Sequence, residues 1–378
     1  MMTISEVRAR AVAIPVERET RISTRVLRER HYLLVEVTAS DGVGMGYAYA
    51  GTNGGRLLVQ AVTDLLQPVL RDAPTDDIHN VWARMYQESL LVGRRGAVLR
   101  AISAVDIALW DLRAKACRMP LAVLLGGSIA QPVPAYASGG YYRPDDGHYE
   151  EAVVREIVAD RQAGFTDHKI KVGGLSLGQD VARVAAASEA IGTHGRLALD
   201  ANNAYRSVEE ALRAARAFER AAGEHGLWWF EEPLSPDNIG GHAELARTLE
   251  TPVATGEIHQ TRWEFAELIE RHAADLLQPD AGVLGGVSEW LRVAHAADTF
   301  GLRVAPHWHA NLHAQLAAAV PNAVAIEHFD LGKGIYNFER LLTEETRLEV
   351  RDGAVHLSER PGIGIEYDEA AVSRYEML

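Results

Sequence analysis

Asp167-His168-Lys169-Ile170-Lys171-Val172-Gly173 is a short run of β-forming residues that ends in two lysines spaced two positions apart. The next two runs repeat the pattern with other polar ends. Residues 196–202 close on Asp200 and Asn202, and residues 227–233 close on Glu231 and Glu232. Longer stretches with helical spacing separate them. Working outward, further runs of this kind fall at 132–138, 252–257, 274–280, 303–307 and 323–329. Eight strand candidates alternating with helices imply parallel strands, and eight of them predict a closed (β/α)8-type barrel. An open doubly wound sheet is the competing arrangement, but no G-x-G-x-x-G follows the first run.

The segment before the barrel has a different rhythm. Three β-type stretches at 3–14, 31–38 and 42–50 suggest a small antiparallel meander, with the Asp41-Gly42 turn between the last two. A polar, arginine-rich loop is expected at 15–30. Helical patterns follow at 55–70, 75–91 and 95–118, the last with Pro120 just past its end. The expected organisation is an α+β capping unit at 1–128, the barrel at 129–345, and a C-terminal hairpin segment at 346–378 that packs back on the capping unit.

Composition narrows the function. The chain has 378 residues, 47% of them hydrophobic and 24% charged, and a net charge of −14. That balance argues against a nucleic-acid surface, which needs clustered Lys and Arg. One cysteine, Cys117, leaves no intrachain disulfide and no cysteine zinc site. No uncharged apolar run approaches the roughly 18 residues of a membrane span, and the opening MMTISEVRAR lacks an apolar signal core; the expected location is the cytoplasm. Of the 38 basic residues only four are lysine, and two of these are Lys169 and Lys171. A desolvated lysine can release its proton near neutral pH and an arginine cannot, so the pair marks a place for proton chemistry.

In a barrel of this type the C-terminal strand ends converge on the active site. Read in order, the second to eighth runs end in Lys169 and Lys171, Asp200 and Asn202, Glu231 and Glu232, Glu257, Asp280, His307, and Glu327. Three acids from consecutive strands, Asp200, Glu231 and Glu257, repel one another unless a cation sits among them, and all-oxygen ligands favour Mg2+. Periodicity alone leaves Glu231 and Glu232 as alternatives. Asp280 beside His307 makes an acid/base dyad. His309 and His313 extend it to H-x-H-x3-H, but they fall beyond the strand end, so a zinc site there is the weaker reading. A metal carboxylate site with a lysine on one side and a histidine on the other suits removal of a proton α to a carboxylate, the enediolate being stabilised by the metal and nearby cations.

The chain resembles the enolase superfamily, and within it the mandelate racemase-like branch. The resemblance is carried by Ala104-Val105-Asp106-Ile107-Ala108-Leu109-Trp110-Asp111-Leu112 with Lys115, by Leu124-Leu125-Gly126-Gly127, and by the strand-end motifs, including Gln278-Pro279-Asp280, Gly285-Gly286-Val287 and Pro306-His307. It implies a modified (β/α)7β barrel under a capping domain. It implies Mg2+ on Asp200, Glu231 and Glu257, which chooses Glu231 over Glu232. Lys171 would be one base, with Lys169 lowering its pKa and facing the substrate carboxylate; His307, paired with Asp280, would be the other. Glu327 would hydrogen-bond the enediolate, and lid loops at 15–30 and 49–56 would set specificity. Asn202 and Ser138, with Arg18, Arg21 and Arg25 in the first lid loop, are candidate substrate contacts. Muconate-cycloisomerising relatives carry a lysine where this chain has Val283, which points instead to a sugar acid or 2-hydroxy acid. Dehydration of a sugar acid to a 2-keto-3-deoxy acid is the leading expectation, and racemisation or epimerisation of a 2-hydroxy acid the alternative. A homo-oligomer is typical of the resemblance. An idle binding barrel would have lost a ligand or a base, and none is missing. A metal hydrolase barrel would need an H-x-H near the first strand, which 135–138 lacks.

Overall fold

The computed structural model describes residues 3–377. Strands β1 (Ile4–Arg21) and β2 (Val26–Ala39) form an antiparallel hairpin, and β3 (Gly42–Tyr49) pairs with β2. The arginine-rich segment expected as a loop is mostly strand: Pro15 faces Glu29, Thr20 faces Leu27 and Arg21 faces Val26, with a register shift between Pro15 and Thr20. Charged side chains mask the strand signal there, but backbone ladder bonds do not depend on them. The hairpin is therefore long enough to reach across the barrel mouth, with only 22–25 left as its turn.

Helix Ala97–Ala116 packs on this sheet and is buried along most of its length. Contact is close because β3 carries glycine on the facing side. A Cβ on Gly44 or Gly46 would lie 2.0 Å from the carbonyl oxygen of Ala108 or Ala104. Gly46→Ala is expected to cost at least about 3 kcal/mol, since neither backbone can yield that far; urea denaturation checks this, and a shift below about 0.5 kcal/mol would contradict it. The other side of the helix is fastened to the barrel. Buried Asp106 accepts from Ser288 N at 2.9 Å and Ser288 Oγ at 2.7 Å, and Trp110 Nε1 donates to Ser288 Oγ. Asp111 accepts from Met45 N and Ile363 N, each at 2.7 Å.

The barrel strands are β4 (Val133–Gly139), β5 (His168–Lys171), β6 (Leu197–Asp200), β7 (Phe230–Glu231), β8 (Val253–Thr255), β9 (Leu276–Leu277), β10 (Arg303–Val304) and β11 (Ile326–His328). They pair in parallel in chain order, β11 returns to β4, and a Val304–Ala323 bridge closes the ring. A helix of eight or more residues follows each of the first seven, whereas only short 3-10 turns follow β11 before the chain leaves the barrel. The architecture is thus (β/α)7β with an N-terminal cap. The C-terminal segment divides between the two units. Strands β12 (Glu349–Arg351) and β13 (Ala354–His356) form a hairpin whose Val355 pairs with Val133 of β4. Beyond it, Gly362 bridges Pro120 and Glu376 bridges Val12 of the cap.

The lower barrel is filled by Tyr136, Ala198, Trp229, Ala254, Leu276, Ala305 and Ala325, two bulky rings fitted among small residues. Side chains alternate along a strand, so two positions further on the same inward face comes round again. Those positions are Ser138, Asp200, Glu231, Gly256, Gln278, His307 and Glu327, all but the glycine polar. The apolar plug thereby becomes the floor of a polar site.

Candidate active site

Lys169 Nζ is buried between two carboxylates, 2.6 Å from Glu231 Oε1 and 2.7 Å from Glu327 Oε1, with Asp200 Oδ2 at 3.9 Å. Lys171 Nζ pairs with Asp200 Oδ2 and lies 5.0 Å over the Tyr141 ring. Asp200 Oδ1 also accepts from Asn202 N at 2.8 Å. Glu231 Oε2 accepts from Trp229 Nε1 at 2.9 Å and Gln278 Nε2 at 2.6 Å. Neighbouring Glu232 points the other way, to Thr255, Gly256 N and Asn203. Alternation therefore separates the two glutamates, and Glu231 is the one inside.

Glu257 breaks the alternation. Gly256 adopts φ +135°, a conformation that side chains other than glycine's rarely accept, and it turns the chain so that Glu257 swings into the site. Oxygens of Asp200, Glu231 and Glu257 lie within 4.8 Å of one another. Glu257 Oε2 has no hydrogen-bond partner. Burial pushes the Glu231 carboxyl up to about 8 and that of Glu257 up to about 7, and the surrounding acids add to both shifts. Two buried carboxylates and one part-buried, two of them resisting charge and one with an orphaned oxygen, fit a divalent cation of the Mg2+ type.

His307 Nδ1 is 2.9 Å from Asp280 Oδ2, which leaves Nε2 toward Glu257 Oε2 at 3.5 Å. Burial opposes a charged imidazole here, but the charge of Glu257 and the Asp280 hydrogen bond outweigh it and raise His307 to about 9. His309 and His313 sit behind Asp280, where burial depresses them to about 3 and about 4. His313 Nε2 accepts from Ala281 N at 3.0 Å. Among the described residues, the only metal-compatible group of three or more is the carboxylate triad.

Glu327, expected to hydrogen-bond the enediolate, stands against Lys169 and Ser138. Burial works to protonate it, but Lys169 first, then His307 and Lys171, hold it well below the usual carboxylate range. Its oxygens accept from Ser138 Oγ and Trp308 N, each at 2.8 Å. As an ionised acceptor it orients Lys169 and Ser138. Lys171 likewise stands above its ordinary value: burial is the largest influence and opposes the charge, as does Lys169, but Asp200, Tyr141 and Glu327 together outweigh them. The strand end carrying Lys171 is gripped from behind, since buried Arg183 donates to Lys171 O at 2.8 Å and Gly140 O at 2.6 Å.

A cavity of about 290 Å3 opens above these groups, with Lys171, Asn202, Glu257, Asp280 and His307 on the barrel side. The cap covers it with Ile22, Arg25, Leu27, Arg30, Tyr49 and Arg100. Of the three lid arginines singled out in the sequence, only Arg25 reaches it. Arg18 pairs with Asp145 at 2.7 Å and Asp146 at 3.1 Å, and Arg21 with Glu19 at 2.9 Å. Ser23 Oγ donates to Ala201 O at 2.5 Å, and Arg21 bridges Tyr142, which fastens the hairpin tip to the barrel rim.

Residues 152–371 match the enolase C-terminal domain-like family model, and residues 4–126 match the mandelate racemase / muconate lactonizing enzyme N-terminal domain. The chain belongs to the mandelate racemase branch of the enolase superfamily. Among its relatives in that branch is the L-talarate/galactarate dehydratase of Salmonella typhimurium, 35% identical over 348 residues, or 91% of this chain and 82% of the relative. The arabinonate dehydratase of Saccharolobus solfataricus is 34% identical over 90% of this chain and 89% of its own. A racemase from Streptomyces coelicolor, solved with bound magnesium, superimposes with a TM-score of 0.90 at 30% identity, covering 99% of this chain and 100% of its own. Against this enolase-superfamily frame, Gln278 falls in a motif recognised from sequence but has no role assigned from it, and the sequence did not single out Trp229, which holds Glu231 with Gln278, or Arg30 and Arg100 in the cap. The indole and amide stand one strand-step from recognised positions; the two arginines carry no local mark among 34.

Proposed function

We propose that the protein is a Mg2+-dependent dehydratase that removes water from a sugar acid and releases a 2-keto-3-deoxy acid. The observation that carries this is the placement of Lys171 and His307 on the two flanks of the carboxylate triad, facing one cavity, in a chain whose relatives include two sugar-acid dehydratases. Asp200, Glu231 and Glu257 would hold the ion, and a hard divalent cation there supplies Lewis acidity that weakens the C2–H bond and offsets charge on the substrate carboxylate.

The remaining work falls to the chain's own side chains. Lys171, with Asp200 committed elsewhere and the Lys169 ammonium nearby, loses the partner that keeps it protonated and takes the C2 proton. The electron pair left behind moves toward the substrate carboxylate, where Lys169 contributes positive charge. His307 is charged at neutral pH and its Nδ1 is tied to Asp280, so Nε2 delivers a proton to the C3 hydroxyl as the C3–O bond breaks. Water leaves, and the resulting enol loses its C2 hydroxyl proton and gains one at C3 to become the 2-keto-3-deoxy acid. Asn202 and Ser138 are assigned to the substrate end of the site, Ser138 through Glu327.

The racemase likeness supports a second reading, in which Lys171 and His307 exchange the C2 proton from opposite faces and no water is lost. Metal removal tests the shared requirement. Chelator-treated protein is expected to form 2-keto acid from sugar acids at least about 100-fold more slowly until Mg2+ is restored. Undiminished product formation without a divalent cation would overturn the proposal.

A further inference from the structure

The cap places three arginines over the cavity, and none of them has a carboxylate within ion-pairing distance among the described residues. The Arg100 guanidinium uses one N–H on Tyr49 O at 2.9 Å and has no other hydrogen-bond partner among the described residues. Arg30 is buried; it donates to Ile335 O at 2.6 Å and Tyr49 Oη at 3.0 Å and lies 4.4 Å over the Trp308 ring. Arg25 stands at the exposed turn of the hairpin and lines the same cavity. The contrast is with other arginines of the same hairpin. Arg10 pairs with Glu36 and Glu369, Arg18 with Asp145 and Asp146, and Arg21 and Arg28 with Glu19. Among the described residues, Arg56, Arg71, Arg84, Arg94, Arg113 and Arg118 of the cap also lack an acid within ion-pairing distance; what sets Arg25, Arg30 and Arg100 apart is that they converge unpaired on one cavity.

An unmatched guanidinium in a partly desolvated site is costly, and the cost is recovered only when an anion arrives. The cavity acids do not fill that role. Asp280 is engaged by His307 and Gly282 N, and Glu257 belongs to the triad. The carboxylate next to the reacting carbon does not fill it either, because on the reading above that group lies at the floor, by Lys169, whereas the three arginines form the roof. A guanidinium offers paired donors in one plane, the geometry that a carboxylate accepts in bidentate fashion. A cavity of about 290 Å3 lies at the small end of ligand sites, suited to a sugar-acid chain spanning floor to roof.

We propose that Arg100, with Arg30 and Arg25 beside it, receives a second carboxylate, so that the preferred substrate is a sugar diacid with a carboxylate at each end. This rests on the sugar-acid reading and adds to it which end groups the site selects. Relatives of both kinds exist, a galactarate dehydratase and an arabinonate dehydratase, so family membership does not decide the matter.

The test compares six-carbon aldarates with the aldonates that differ only in carrying CH2OH at C6, using the Mg2+-loaded wild-type protein, Arg100→Met and Arg100→Lys. The readout is the ratio of kcat/KM for diacid to monoacid. In the wild type it is expected to exceed about 100, as loss of one desolvated charge pair implies. Arg100→Met should lower that ratio by about 100-fold, and Arg100→Lys should restore part of it, because a point charge replaces the fork. A wild-type ratio near one, or a ratio unchanged in Arg100→Met, would overturn the diacid proposal while leaving sugar-acid dehydration intact. If neither class loses its C2 proton to solvent, the underlying reading fails instead. Should Arg100→Met prove unfolded by circular dichroism, the wild-type ratio together with competitive inhibition by non-reacting dicarboxylates against their monocarboxylate counterparts decides the question, and equal inhibition counts against it.

Discussion

Lys171→Ala is expected to abolish turnover, lowering kcat by at least about 10^3-fold. It should also stop exchange of the substrate C2 proton with solvent. The same variant should bind Mg2+ no more weakly than the wild type, because the ammonium it removes is the one paired with Asp200. Those two results separate a proton-transfer role from a structural one. A lysine that merely balanced the buried acids would, when removed, leave Asp200, Glu231 and Glu257 more repulsive and the fold weaker. Calorimetry with Mg2+, circular dichroism and turnover together decide. Activity near that of the wild type would sink the assignment of the base.

His307→Asn is expected to have the second large effect, and a more selective one. Asparagine can retain a hydrogen bond to Asp280 but cannot deliver a proton to a departing hydroxyl. Dehydration should fall by about 10^3-fold. Proton exchange at C2 should persist at a slow rate, because Lys171 on the far flank is untouched. In deuterated buffer this appears as loss of the C2 signal without growth of a keto acid. Elimination that survives with exchange abolished would show that the two groups do not divide the work in this way.

Much of this site is legible in the sequence because the barrel imposes a simple geometry. Once eight runs are aligned, alternation carries Tyr136 to Ser138, Ala198 to Asp200, Trp229 to Glu231, Ala305 to His307 and Ala325 to Glu327, from apolar floor to polar rim. Glu257 is where that counting fails. Gly256 takes a backbone angle that inverts the alternation, and nothing in a β-pattern announces it. The electrostatic setting of Glu327 was also beyond the sequence, since it depends on Lys169 and Lys171 of one strand and His307 just past another arriving together. The length of the cap hairpin was hidden by charged residues at 15–30, which suggest a loop although their backbone forms a ladder. Arg100 and Arg30 were invisible for a different reason. What distinguishes them is that they converge unpaired on one cavity, and that convergence is a property of the fold rather than of any motif.

The central claim is that one flank of the triad removes the C2 proton while the other helps the C3 hydroxyl leave. Proton NMR of the Mg2+-loaded protein in D2O, run against a library of sugar acids and 2-hydroxy acids, tests it most directly. The expected result is a sugar acid whose C2 signal disappears as a 2-keto-3-deoxy product, deuterated at C3, accumulates. Exchange at C2 with no elimination for any member of the library would contradict dehydration and favour the racemase reading, and a library that keeps every C2 proton would contradict both.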